Sequence, residues 1–141
     1  MKVSRISLIL LLTASISQTA FAFSRPPVTS DTCPAEDTIK QIGATYTAAG
    51  GWTGVMQKHA DKIQAFEMVL YKPKDTGNPF NKGELLRCVY KLNNGKFLDL
   101  RLPTAANKAY ITNSKNWQAA YGGNEYDCDK NRLACEFHLS K

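Results

Sequence analysis

The four cysteines carry the most distinctive chemistry in this chain: Cys33, Cys88, Cys128 and Cys135. No two of them form a Cys-x-x-Cys motif, and only His138 lies near a cysteine pair, so the spacing does not predict a zinc site. An even number of cysteines is typical of disulfides in exported chains. Three pairings are possible, and we expect Cys33–Cys88 and Cys128–Cys135 because the second pair is close in sequence and closes a turn.

The two histidines are the side chains best suited to general acid or base chemistry. His59 lies beside Asp61 in a predicted loop, and His138 is expected on the outer face of the last strand, two residues from Glu136. The chain has no G-x-S-x-G, H-E-x-x-H or P-loop motif, and disulfides would consume its thiols. We therefore predict surface histidines, no catalytic site, no metal site and no cofactor. A small hydrolase that uses a histidine stays open as an alternative.

Aromatic side chains near glycines and loops form the remaining candidate site. Exposed flat rings flanked by Asn and Gln suit sugar rings or a protein groove. The candidate ligand-binding residues are Trp52, Trp117, Tyr121 and Tyr126. The competing interpretation is that the two tryptophans fill the core of a small domain.

The N-terminal residues 1–22 have the pattern of a secretory signal peptide. Lys2 and Arg5 form the positive start, a mostly apolar run follows, and Ala20-Phe21-Ala22 matches a small-x-small cleavage site. The apolar run is too short for a membrane span. We expect cleavage after Ala22, a mature chain without a transmembrane segment, and a secreted or periplasmic location.

The formal net charge of +6 includes two positive charges from that signal peptide. The remaining excess is mild, and it favours anionic partners such as polysaccharide or lipid head groups only weakly. The basic residues are scattered along the sequence, without a run of Lys or Arg. Because a groove that binds nucleic acid needs clustered basic residues, we predict no nucleic-acid partner. A protein or glycan partner is expected, and the sequence does not predict the oligomeric state.

The segment over residues 33–141 is expected to form a single disulfide-stapled domain, after a flexible leader over residues 23–32. Pro34 suits the first position of a helix, acidic residues follow in its first turn, and Gly43 ends it. These signals predict a helix over residues 34–42.

The next residues change to a period of two, which is typical of strands. Short strands are predicted at residues 44–48 and 52–57, and a longer one at 63–72. Residues 73–83 are rich in Pro, Gly and Asn, which predicts a loop that is either functional or mobile.

The hairpin at residues 84–102 has the clearest predicted register. A three-residue loop, Asn93-Asn94-Gly95, places core residues opposite core residues, whereas a two-residue turn would pair Cys88 with Arg101. The predicted pairs are Tyr90 with Leu98, Cys88 with Leu100 and Leu86 with Leu102. The register therefore favours a type I turn with a bulge at Gly95.

The end of the chain, residues 128–139, is expected to form a disulfide-closed hairpin. Leu133, Cys135, Phe137 and Leu139 share one face of its second strand. Together the elements predict an α+β fold, with one N-terminal helix pinned by Cys33–Cys88 on a mainly antiparallel β-sheet. A β-sandwich is the alternative.

Several short segments, from a Cys-Pro start to two Cys-x-aromatic strands, support a family resemblance. They are Cys33-Pro34, Thr38-Ile39-Lys40-Gln41-Ile42, Tyr46-Thr47-Ala48, Gly51-Trp52, Cys88-Val89-Tyr90 and Cys135-Glu136-Phe137. In them the chain resembles a family of small exported bacterial proteins of unknown function. The resemblance implies export from a Gram-negative bacterium, with type II secretion for some members, and it supplies no catalytic residues.

The function expected on these grounds is that of an exported, non-enzymatic binding protein that contacts a host or cell-envelope component. A stapled scaffold without a catalytic constellation favours contact over chemistry. A periplasmic inhibitor of a lysozyme or protease, with the loop at 73–83 in the target's active site, is the first alternative. The histidine hydrolase is the second.

Overall fold

Ten strands and four short 3-10 helices make up the part of the chain that the structure, a computed structural model, describes: residues 30–141. The predicted signal peptide and residues 23–29 of the predicted leader lie outside the described residues. The strands are β1 (Lys40–Ile42), β2 (Thr45–Ala48), β3 (Trp52–Val55), β4 (Ile63–Pro73), β5 (Gly83–Leu92), β6 (Phe97–Leu100), β7 (Lys108–Tyr110), β8 (Gln118–Ala120), β9 (Glu125–Cys128) and β10 (His138–Leu139). The 3-10 helices are Glu36–Thr38, Ser114–Asn116, Tyr121–Gly123 and Arg132–Ala134.

The strands form two antiparallel sheets that curl around one core. The small sheet has the order β1-β2-β3, and the larger has the order β10-β7-β5-β4-β9-β8, with β6 beside β5. Thr53 and Arg101 exchange two backbone hydrogen bonds of 3.0 and 2.8 Å, which join β3 to the end of β6. The two sheets thereby form a curled half-barrel. The largest fully buried side chains inside it include Tyr46, Tyr71, Tyr90, Phe137, Leu85, Leu92, Leu98 and Leu100.

The predicted α+β fold with an N-terminal helix is wrong, because the fold is mostly β. Within the predicted helix 34–42 only Glu36–Thr38 is helical, as a single 3-10 turn, and Ile39 is already extended at φ −84° and ψ 120°. A segment of this length is marginal as an isolated helix, so tertiary contacts decide its conformation. Here β1 gains backbone pairing with β2, and the Glu36 carboxylate accepts a hydrogen bond from the Phe66 backbone N–H at 2.9 Å.

The register predicted for the hairpin is confirmed at its turn and corrected at its far end. Tyr90 lies opposite Leu98 and Cys88 opposite Leu100, and Gly95 has a φ of 80°. The pair Leu86–Leu102 does not form, because β6 ends at Leu100. A bulge against β4 also shifts the alternation at Leu86, so that Leu85 points into the core instead.

Both predicted disulfides are confirmed. Cys33–Cys88 and Cys128–Cys135 have Cα–Cα distances of 5.9 and 5.6 Å, and all four residues are buried. The first ties the segment before β1 to the middle of β5, and the second closes the turn after β9.

The C-terminal hairpin prediction is wrong, because the two halves of residues 128–139 pair with different strands. β9 pairs with β4 and β8, whereas β10 pairs with β7. The intervening 3-10 turn is capped by the Asn131 side chain, which accepts a hydrogen bond from the Ala134 N–H at 2.9 Å. This turn leaves Leu133 68% exposed, although alternation placed it with the core residues. Within residues 30–141 no helix has the length and apolar character that a membrane span needs.

Candidate functional site

Four lysines surround a cleft where β4 and β5 open into the loop at residues 74–82. The cleft has a volume of about 500 Å³. Its lining residues, which we call the lysine cleft, are Lys72, Pro73, Lys74, Lys82, Gly83, Glu84 and Lys108. The four lysines are exposed, and Pro73 and Gly83 form a buried floor between them.

Strand alternation places these charged side chains on one face. Lys72 pairs with Glu84, and Glu84 pairs in turn with Lys108 on β7, so three strands present charged residues side by side. Just beyond the paired ends of β4 and β5, the Lys74 N–H donates to the Lys82 carbonyl at 2.9 Å. This hydrogen bond sets Lys74 and Lys82 opposite each other. Since successive strand residues point to opposite faces, Lys72 and Lys74 share a face, as do Lys82 and Glu84.

Gly83 is required in the floor of the cleft. A Cβ atom at this position would lie 2.5 Å from the ring and hydroxyl of Tyr71 and closer still to the Lys72 carbonyl oxygen. Backbone and a buried ring cannot yield to such a contact, so the absence of a side chain lets β5 lie against Tyr71. The buried tyrosine thus supports the cleft from below.

The loop at residues 74–82 is anchored at several points. The Tyr71 hydroxyl donates to the Pro79 carbonyl at 2.9 Å, and the Phe80 carbonyl accepts from the Ile111 N–H at 2.9 Å. The Phe80 ring packs edge-on against Tyr126, with 4.7 Å between ring centroids. These contacts fix the loop, which carries Lys74 and Lys82 at its two ends.

The electrostatics of the cleft are dominated by unpaired positive charge. The Lys108 ammonium donates to the Glu84 carboxylate, and this hydrogen bond and charge hold the pKa of Glu84 below its usual value. Within residues 30–141, Lys72, Lys74 and Lys82 have no carboxylate within ion-pair distance. Three ammonium groups therefore remain available to an anionic ligand.

The aromatic residues singled out from the sequence do not converge on one surface. Trp52 and Trp117 are each 6% exposed and belong to the core, although Trp52 also lines a groove of about 350 Å³ with Ala48 and Gly50. Tyr126 is half-buried against Phe80, and Tyr121 is 67% exposed in a 3-10 turn. Of the four candidate residues, Tyr121 is the most exposed.

The histidines lie in two different settings. His59 is exposed in the loop before β4, at a φ of 62°, and its carbonyl accepts from the Asn94 side chain at 2.7 Å. His138 is 7% exposed, so its expected place on a solvent-facing surface is wrong. Pairing of β10 with β7 stacks its ring on Tyr110, 4.8 Å away, and sets its Nε2 3.0 Å from the Thr112 hydroxyl.

No metal-binding constellation of His, Cys, Asp and Glu side chains occurs in the part of the chain described by the structure. The lysines of the cleft were not identified from the sequence, because they are separated there and read as scattered charge. The signal that could have found them is local: Lys72 and Lys74 flank a proline, and Lys82 and Glu84 flank a glycine, at the two ends of one loop. Pairing of β4 with β5 brings the two ends of the loop together, and the lysines with them.

Comparison with known proteins finds a match to a family model. No curated protein and no solved structure matches the chain. A family model described as "Protein of unknown function (DUF3757)" matches residues 28–138, which include every strand but the last residue of β10. This agrees with the resemblance to an uncharacterised family noted from the sequence. The chain therefore belongs to the DUF3757 family of proteins of unknown function.

Proposed function

We propose that this protein is an exported, non-enzymatic binding protein whose lysine cleft contacts an anionic glycan of the host or of the cell envelope. The observation that carries the proposal is the group of lysines at the cleft, of which three lack a carboxylate partner within the described residues. The anchored loop, which carries Lys74 and Lys82, favours a preformed site over one that must be ordered by its ligand.

Two features support export: the pattern of the N-terminal residues and the disulfides. The signal-like pattern at residues 1–22 precedes a domain in which all four cysteines form buried disulfides. Disulfides persist in oxidising compartments and are rare in the cytosol. The proposal therefore includes cleavage after Ala22 and release to the periplasm, with onward type II secretion as the family resemblance implies.

A repeating polyanion fits the spacing of the ammonium groups. Opposite residues on neighbouring strands are about 5 Å apart, and alternate residues along one strand are about 7 Å apart. A polymer with regularly spaced sulfate, phosphate or carboxylate groups can contact several lysines at once, each as a point charge. The Glu84 carboxylate repels an anionic ligand, and its ion pair with Lys108 reduces this repulsion.

Calorimetric titration with dextran sulfate, with neutral dextran as the uncharged counterpart, tests the proposal. The double variant Lys74→Ala/Lys82→Ala should bind dextran sulfate about tenfold more weakly than the wild type, since each exposed ion pair contributes up to about 1 kcal/mol. Glu84→Gln should bind more tightly, because it removes the negative charge from the cleft. Both effects should shrink as salt is raised.

The matched control is Lys58→Ala/Lys115→Ala, which removes the same charge from two exposed lysines elsewhere that also lack an ion pair within the described residues. An equal loss in the control would show general attraction to a basic protein and reject the cleft as the site.

The protein is taken from cells that express the full chain, so its intact mass also tests export. A chain that begins at Phe23 supports the leader, and one that begins at Met1 contradicts it.

A further inference from the structure

Three large apolar side chains are exposed at the end of the molecule opposite the lysine cleft. Ile42 is 82% exposed, Val55 56% and Phe97 52%. Ile42 precedes the tight turn between β1 and β2, Val55 ends β3, and Phe97 begins β6 directly after the turn at residues 93–96. We call these three residues the apolar stripe.

Strand register places the three side chains on one face, with the exposed Thr45 between Ile42 and Val55. Ile42 pairs with Thr45, and Thr45 pairs with Val55, so Ile42 and Val55 share a face about 10 Å apart. Val55 and Phe97 line one groove of about 480 Å³ together with Met56, and the polar side chains of Thr53, Asp99 and Arg101 line the same groove. The stripe therefore crosses the joint between the two sheets, on the outer face of the half-barrel.

Positive charge borders the stripe. Lys91 lies opposite Phe97 on β5, Lys96 precedes Phe97 in the chain, and Lys40 shares the face of Ile42 on β1. Asp99 lies in the groove with Val55 and Phe97. Its carboxylate lies 3.1 Å from the Arg101 guanidinium and 3.6 Å from that of Arg87. Its charge is compensated, and the border stays basic.

We propose that the apolar stripe docks this protein on the surface of an anionic phospholipid bilayer. Exposed apolar side chains gain free energy by entering the interface, and a phenylalanine side chain supplies a large apolar area there. Each lysine within a Debye length of the surface adds attraction to anionic lipid. The basic border favours this partner over an uncharged apolar protein surface.

The inference is independent of the proposed glycan site. Phe97 lies opposite Lys91, eight residues along β5 from Gly83 in the cleft, which corresponds to about 26 Å of strand. Substitutions in one surface therefore leave the other intact. A protein docked through the stripe on a bilayer would hold the lysine cleft away from the lipid.

Flotation with vesicles of phosphatidylglycerol and phosphatidylcholine tests the docking, with pure phosphatidylcholine vesicles as the uncharged surface. The mature protein should bind the anionic vesicles, lose binding as salt is raised, and bind the neutral vesicles weakly. Val55→Ser/Phe97→Ser should lower the partition coefficient at least tenfold. Leu133→Ser, which changes a side chain that is 68% exposed elsewhere, should bind like the wild type.

Absence of binding to anionic vesicles would overturn the proposal, as would an equal loss in Leu133→Ser. Loss of binding in Lys74→Ala/Lys82→Ala, with Val55→Ser/Phe97→Ser unaffected, would assign the lipid to the lysine cleft and also reject the stripe. Phe97→Trp supplies a second readout, because Trp52 and Trp117 are buried. Its emission should shift to shorter wavelength on anionic vesicles, and an unchanged spectrum would contradict insertion.

Discussion

Three buried tyrosines bind loops to the sheets through their hydroxyl groups. Tyr71 donates to the Pro79 carbonyl at 2.9 Å, Tyr90 to the Pro34 carbonyl at 2.6 Å, and Tyr46 to the Asp61 carbonyl at 2.5 Å. Burial raises the pKa of Tyr71 to about 12, and burial and then the nearby Glu36 carboxylate raise the pKa of Tyr90 further. Both hydroxyls are therefore protonated donors across the physiological pH range.

These raised pKa values predict a loss of stability at alkaline pH. A free tyrosine loses its proton near pH 10, so above that pH the unfolded state releases protons that folded Tyr71 and Tyr90 retain. Stability from these groups is fully present below about pH 10 and is lost as pH rises through the folded pKa values. Urea unfolding at pH 9 and pH 11 should show a lower free energy of unfolding at the higher pH.

The variant Tyr90→Phe identifies the cause of that loss. It should be less stable than the wild type at pH 9, because the Pro34 carbonyl loses its donor. Between pH 9 and pH 11 its free energy of unfolding should fall less than that of the wild type. An equal fall in both proteins would show that other groups control the alkaline transition.

The crossing of β3 over β6 depends on one glycine. A Cβ atom at Gly54 would lie 2.5 Å from the Asp99 carbonyl oxygen and 2.9 Å from a Leu100 methyl carbon. The close approach lets Trp52 and Tyr46 pack against the same core as the larger sheet. Gly54 therefore sets the distance between the two sheets.

Gly54→Ala should destabilise the protein by about 1–3 kcal/mol, the usual cost of overpacking, because a backbone oxygen must move. The matched control is Gly77→Ala in the exposed loop, where the added carbon would meet only the Asp75 side chain at 3.3 Å. Urea denaturation of the two variants measures the difference. Equal midpoints for both would show that β3 can shift without cost.

The sequence pattern predicted an element correctly where burial of apolar side chains alone decides its structure. Alternation of apolar residues fixed the register around Cys88 and Tyr90, because a slip would turn charge into the core. It failed at Leu86, where a bulge changes the face, since nothing in β5 alone shows how β4 opposes it. The expected helix at 34–42 failed for the same reason, because pairing with β2 lies outside the segment.

The site was predictable only in outline. The loop at residues 73–83 could be recognised from its composition, whereas the grouping of its lysines with Lys108 depends on the pairing of β5 with β7. Trp52 and Trp117 are buried, as the core interpretation of the tryptophans predicted. Aromatic composition does not distinguish a core ring from a contact ring, because both are large and apolar with one polar atom.

Across the whole molecule, two disulfides and a curled sheet hold two different surfaces at opposite ends of β5. The Cys33–Cys88 disulfide lies between these surfaces. Asp31 pairs with Phe137, directly before β10, and so joins the start of the described residues to their end. The lysine cleft offers charge without an exposed apolar side chain, and the apolar stripe offers apolar side chains with a basic border. This division favours a protein that contacts more than one partner.

Amide shifts of the ¹⁵N-labelled mature protein during titration with dextran sulfate test the central claim most directly. The largest changes should fall at residues 72–74, 82–84 and 108, with little change at Lys115 and Lys130, because the cleft alone gathers several lysines around one cavity. Changes of similar size at all exposed lysines, or changes confined to the region of Tyr121, would contradict the lysine cleft as the binding site.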